Sequence, residues 1–167
     1  MCLTLGQDIK EVLGDDFQLP YPDVPFFIDT ANTGKQVVTQ MHVDFKNTLF
    51  GMCVIAVFGK FNHKKHSMLV LKELKFLVQL KHGDIIFIPS ALATHGNTVL
   101  TPTDIHRSWT MFNSGVLFRY CDTGFCTFES LAPEDAHNME KMYPVFFWDY
   151  MSSHLTLQEL KSYHCVA

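Results

Sequence analysis

Residues 41–47 read MHVDFKN and residues 83–97 read GDIIFIPSALATHGN, and the architecture turns on these two stretches. The first carries His42 and Asp44 two positions apart, and the second ends on His95 after a turn, a short apolar strand and a loop. Successive side chains of a strand point to opposite faces, so His42 and Asp44 share a face and Val43 takes the other. A third ligand has to come from an element distant in sequence and adjacent in space. His95 suits that role because it follows Gly83-Asp84, an apolar strand and Pro89, and so sits at the end of a rigid element. Two imidazoles and a carboxylate with open positions suit Fe(II) in an enzyme that uses O2. The same set can hold zinc, but no HExxH or equivalent general base accompanies it. His63, His66 and His82 read as turn residues, and His137, His154 and His164 as surface residues in or near helices.

Around these motifs, short strands separated by turn signals run from Lys35 to Tyr120. One strand is expected over Gln36–Asp44. GMCVIAVF at 51–58 is apolar on both faces and reads as buried. Leu69–Leu71, Phe76–Leu80 and Ile85–Pro89 follow, with His82-Gly83-Asp84 as a turn. Arg107–Phe112 and Val116–Tyr120 are expected to form a hairpin around Asn113-Ser114-Gly115. About seven or eight short strands in this space predict a mainly β sandwich or jelly-roll barrel.

The chain is expected to be one domain, with an irregular arm over 1–25, a barrel core over 35–127 and a helical segment over 131–167. Asp8–Leu13 is a short helix candidate in the arm. Pro133–Met142 and Thr156–His164 are the C-terminal candidates, and Thr156 with Glu159 fits a capping box. VFFWDY at 145–150 lies between them and reads as packing.

Composition supports a packed core without disulfides, with 47% hydrophobic and 13% aromatic residues among 167. The formal charge of −4 gives no general attraction to phosphate backbones, so a nucleic-acid substrate needs a local basic patch. Five cysteines with no CxxC pair read as reduced thiols, Cys53 among them as a small core residue. No apolar run approaches the roughly 20 residues of a membrane span. The first ten residues lack the pattern of a signal peptide, and a cytoplasmic or nuclear protein, a monomer or weak oligomer, is expected.

Many enzymes with such a triad use 2-oxoglutarate, which chelates the metal by one end and needs a buried cation for the other carboxylate. Arginine suits that task because its planar fork makes two parallel hydrogen bonds. The chain has two arginines, Arg107 and Arg119, both on the expected hairpin after His95. Arg107 is the first candidate for the clamp and Arg119 the second, with Ser108 or Thr110 adding a hydroxyl.

In MHVDFKN, GDIIFIPSALATHGN and SWTMFNSGVLFRYCDTG, the chain resembles the 2-oxoglutarate/Fe(II) dioxygenase-like proteins of mushroom-forming fungi. Those are distantly similar to the TET/JBP group that oxidises methylated bases. The resemblance covers roughly Pro25 to Thr127. It implies a double-stranded β-helix with flanking, mostly C-terminal helices, and matches His42, Asp44 and His95 to the iron ligands. It also matches Asn47 to a polar position whose role stays unassigned. The family's clamp is usually an arginine two residues before a serine. Here that position is His106, and the arginine stands one residue on, at Arg107. Strand alternation then turns Arg107 to the other face unless a bulge intervenes.

The functional expectation is an Fe(II)- and 2-oxoglutarate-dependent dioxygenase that oxidises a C–H bond. The resemblance implies a methylated nucleobase as substrate, and a small molecule or a protein side chain is the alternative. Two other readings share the barrel. One is a non-catalytic metal- or ligand-binding relative, supported by the displaced arginine. The other is a cupin-like metalloenzyme that does not use 2-oxoglutarate.

Overall fold

The computed structural model describes residues 2–14, 21, 23–152 and 156–164. The chain divides into two compact units, Met1–Phe125 and Cys126–Ala167.

The first unit opens with helix α1 (Cys2–Leu13), longer than the short helix expected over Asp8–Leu13. Among the described residues, seven strands follow: β1 (Ile28–Asn32), β2 (Cys53–Lys60), β3 (Leu69–Leu71), β4 (Phe76–Val78), β5 (Ile85–Ile88), β6 (His95–Asn97) and β7 (Ile105–Phe112). They form two antiparallel sheets, ordered β1-β7-β2-β5 and β4-β3-β6. β2 is an inner strand, with β7 on one side and β5 on the other, and both of its faces are covered at Cys53, Val54, Ala56 and Val57, which are buried. The sheets share one core. Cys53, Val57 and Ile88 from the larger sheet pack with Leu69 and Leu71 from the smaller, and Leu80 joins them. Ile88 is 1% exposed, and burying such a side chain contributes about 1.5–3 kcal/mol.

The strands make two separate sheets, and a closed barrel is not seen among the described residues. The segment expected as a strand over Gln36–Asp44 shows why. It changes partner along its length, so no ladder continues. Val37 N–H donates to the carbonyl of His106 on β7, whereas Asn97 N–H donates to Thr39 O and His42 forms a bridge with His95 on β6. This segment therefore passes from one sheet to the other and delivers His42 beside His95.

The expected strand over Val116–Tyr120 is instead helix α2 (Gly115–Asp122). A tight hairpin turn needs positive φ in its loop, and none of Asn113, Ser114 and Gly115 adopts it. The Asn113 side chain instead accepts from Phe27 N–H and donates to Pro25 O, fixing the segment that leads into β1. Ser114 Oγ accepts from Val116 N–H and caps the helix, and Phe118 is buried from it.

The second unit contains a 3-10 turn (Phe128–Ser130), α3 (Pro133–Ser152) and α4 (Leu157–His164). The VFFWDY stretch, expected between helices, lies inside α3, which continues through Pro144. The capping box is present: Thr156 N–H donates to Glu159 Oε2 at 2.6 Å and Glu159 N–H to Thr156 Oγ1 at 3.2 Å. Among the described residues, no helix is long and apolar enough to cross a membrane.

Candidate metal centre

Three side chains from two separate parts of the first unit converge. Nε2 of His42 lies 3.2 Å from Oδ1 of Asp44, and Nε2 of His95 lies 3.8 Å from Oδ2 of the same carboxylate. One donor atom from each of the three falls within 4.8 Å of the others. The ring centroids of His42 and His95 are 4.3 Å apart. His95 is buried, while His42 and Asp44 are half-buried.

The ring orientations are set from behind. Nδ1 of His42 is 2.9 Å from Gln40 O, and Nδ1 of His95 is 2.9 Å from Ala93 O. A carbonyl only accepts, so each Nδ1 carries the proton and each Nε2 offers its lone pair to the space above Asp44. Asp44 is held twice. Its N–H donates to Ser90 O at 3.0 Å, and its Oδ2 accepts from Asn47 Nδ2 at 3.2 Å. Asn47 Nδ2 also reaches Ser90 Oγ at 3.1 Å, and Ser90 is 1% exposed. Asn47, unassigned in the sequence, thus orients the carboxylate. Ser90 is legible in the sequence only as a residue after Pro89, and nothing local marks its part.

The triad opens on a cavity of about 310 Å³ between the two sheets. Its wall is mixed: Val57, Leu69, Leu80 and Phe112 are apolar, while Asn32, Ser67, Asn97, Ser108 and Thr110 offer hydroxyls and amides. Cys53 also lines it. Burial, with the Asp44 charge second, pushes its thiol up to about 11, so at neutral pH it is a protonated thiol.

Of the other expected site residues, Ser108 and Thr110 line the cavity, and Arg107 and Arg119 do not. The wall takes His106, Ser108, Thr110 and Phe112, one face of β7; Arg107 falls on the opposite face and is exposed. Arg119, expected on a strand, lies exposed on α2.

The donor set fits Fe(II): two neutral imidazole nitrogens and one carboxylate gather at one edge of a cavity that leaves the remaining positions to other ligands. Among the described residues, Asp44 is the only carboxylate in the wall, so a zinc hydrolase would lack an acidic general base.

No family model matches the chain, and no curated protein matches it. Among solved structures, the chain is similar to NgTET1 in complex with 5mC DNA, with 14% sequence identity and a TM-score of 0.47. The match covers 68% of this chain and 48% of that one, so the chain spans about half the length of the NgTET1 chain.

Proposed function

We propose that this chain is an Fe(II)-dependent oxygenase that uses 2-oxoglutarate as cosubstrate and oxidises a C–H bond of its substrate. The observation that carries this reading is the convergence of His42, Asp44 and His95 with both Nδ1 protons tied to carbonyls. Bound iron would supply the activation of O2, which no side chain here can perform. The chain's own residues have four tasks. His42, Asp44 and His95 hold one side of the ion. Asn47 and Ser90 keep the Asp44 carboxylate turned toward it. Val57, Leu69, Leu80 and Phe112 keep water away, and the hydroxyls and amides orient what enters.

The proposed substrate is a methylated base, taken from single-stranded nucleic acid or extruded from a duplex. Phe45 supports it: the residue next to Asp44 is 80% exposed, with Lys46 Nζ 5.9 Å from its ring centre. An exposed aromatic ring with a cation close to it is what an unstacked base needs. The second reading is a metal-dependent oxygenase without a 2-oxoacid. The absence of Arg and Lys from the cavity wall, among the described residues, favours it.

Anaerobic Fe(II) titration followed by O2 exposure with 2-oxoglutarate tests the proposal. Iron-dependent formation of succinate is expected, with Asp44→Ala losing both iron binding and turnover. Unchanged iron affinity in Asp44→Ala would refute the ligand set, and O2 uptake without any 2-oxoacid would establish the second reading.

A further inference from the structure

A dicarboxylate cosubstrate brings a second carboxylate into a wall that, among the described residues, holds neither arginine nor lysine. Apart from the ligands His42 and His95, His106 is the one described lining residue that can become a cation. It is 6% exposed, on the cavity face of β7 and two residues before Ser108. Its Nδ1 lies 2.9 Å from Val37 O, so Nδ1 carries a proton. In the neutral ring, Nε2 is then an acceptor and repels a carboxylate. In the imidazolium, Nε2 becomes a donor and attracts one. Ser108 Oγ accepts from Asn32 Nδ2 at 3.1 Å, which leaves its own O–H free to donate.

We propose that His106 receives the distal carboxylate of the cosubstrate as an imidazolium, with Ser108 adding a hydrogen bond, so that the dicarboxylate enters together with one proton. This role of His106 rests on the 2-oxoglutarate reading of the site. No covalent bond is made or broken in this step apart from the N–H bond that the proton forms. A neutral imidazole, a dianion and a solvent proton become an ion pair within the cavity.

The surroundings make the proton conditional on the ligand. Burial holds His106 below the ordinary histidine value, so the ring is neutral before an anion arrives. The Asp104 carboxylate acts the other way and favours the cation. Asp104 is itself kept ionised by hydrogen bonds from Thr101, and His66 Nδ1 sits 3.1 Å from its Oδ2. The backbone carbonyl of Lys35 accepts from His106 N–H at 2.9 Å. Across the cavity stand Cys53, a neutral thiol, and Asp44 with its two histidines.

Calorimetric titration of 2-oxoglutarate into the Mn(II)-loaded chain, in buffers of differing ionisation enthalpy between about pH 6 and 8.5, reads the proton directly. Uptake of close to one proton is expected, with affinity falling about tenfold per pH unit at the alkaline end. His106→Arg should bind with no proton uptake and a flat pH profile, and His106→Gln should bind weakly at every pH. Tight, pH-independent binding to the unaltered chain without proton uptake overturns the role of His106 and leaves the cosubstrate reading standing. No saturable binding to the unaltered chain at any pH overturns both.

Discussion

Glu73 accepts two hydrogen bonds from Thr94, from its N–H at 2.8 Å and from its hydroxyl at 2.5 Å. An exposed carboxylate between β3 and β4 thereby holds the residue immediately before His95, one of the three proposed ligands. The neighbouring Lys72 N–H closes the contact by donating to Thr94 O at 3.0 Å. Ala93, on the far side of Thr94, supplies the carbonyl that orients the His95 ring. The position of the buried His95 ring therefore depends on a group at the surface.

Glu73→Gln is expected to weaken metal binding several-fold and to lower the melting temperature in a pH-dependent way. The Thr94 hydroxyl, first, holds the Glu73 carboxyl below its ordinary value. A depressed carboxyl contributes stability above its unfolded value, about 4.3, and loses it as pH falls through the lower folded value. The gap in melting temperature between the unaltered chain and Glu73→Gln should thus be open at neutral pH and close in acid. A gap of constant size across pH would show that the charge of Glu73 is not what holds the loop.

Asn47→Ala should cost about 10–100-fold in metal affinity without unfolding the chain, the usual penalty for removing a group that orients a ligand. The amide bridges Asp44 Oδ2 and Ser90 Oγ, and no other side-chain amide or hydroxyl is seen donating to that carboxylate oxygen among the described residues. Mn(II) titration followed by electron paramagnetic resonance measures the loss. Affinity equal to that of the unaltered chain would remove Asn47 from the centre.

Gly59→Ala should destabilise the fold by about 3 kcal/mol or more. Gly59 has φ +135°, and a Cβ there would lie 2.0 Å from the Ile105 carbonyl oxygen, a backbone atom that cannot step aside. Gly59 also pairs with His106 across β2 and β7, so the strain falls on the strand that lines the cavity. Urea unfolding provides the check, and a loss below about 1 kcal/mol would mean that the two strands can separate locally at little cost.

Arg107→Ala should leave 2-oxoglutarate affinity within about twofold, as expected for a surface substitution. Arg107 sits on the exposed face of β7, opposite the face that carries His106 and Ser108. A loss of tenfold or more in a binding titration would bring the arginine back to the cosubstrate.

The meeting of His42, Asp44 and His95 and several of the strands that frame them are legible in the order of residues. The HxD spacing is local geometry, and the apolar runs that form β2, β3 and β5 can be read alone. Three other features depend on contacts between distant segments. Val116–Tyr120 is apolar enough for a strand or a helix, and it winds because Ser114 caps it while Gly115 N–H is held by Lys46 O. Gln36–Asp44 never becomes a strand because its partners belong to two different sheets. Whether Arg107 or its neighbour His106 meets the cavity depends on which side of β7 the smaller sheet covers. Spacing along a chain sets which side chains can share a face, but only the packing of remote segments determines what that face looks upon.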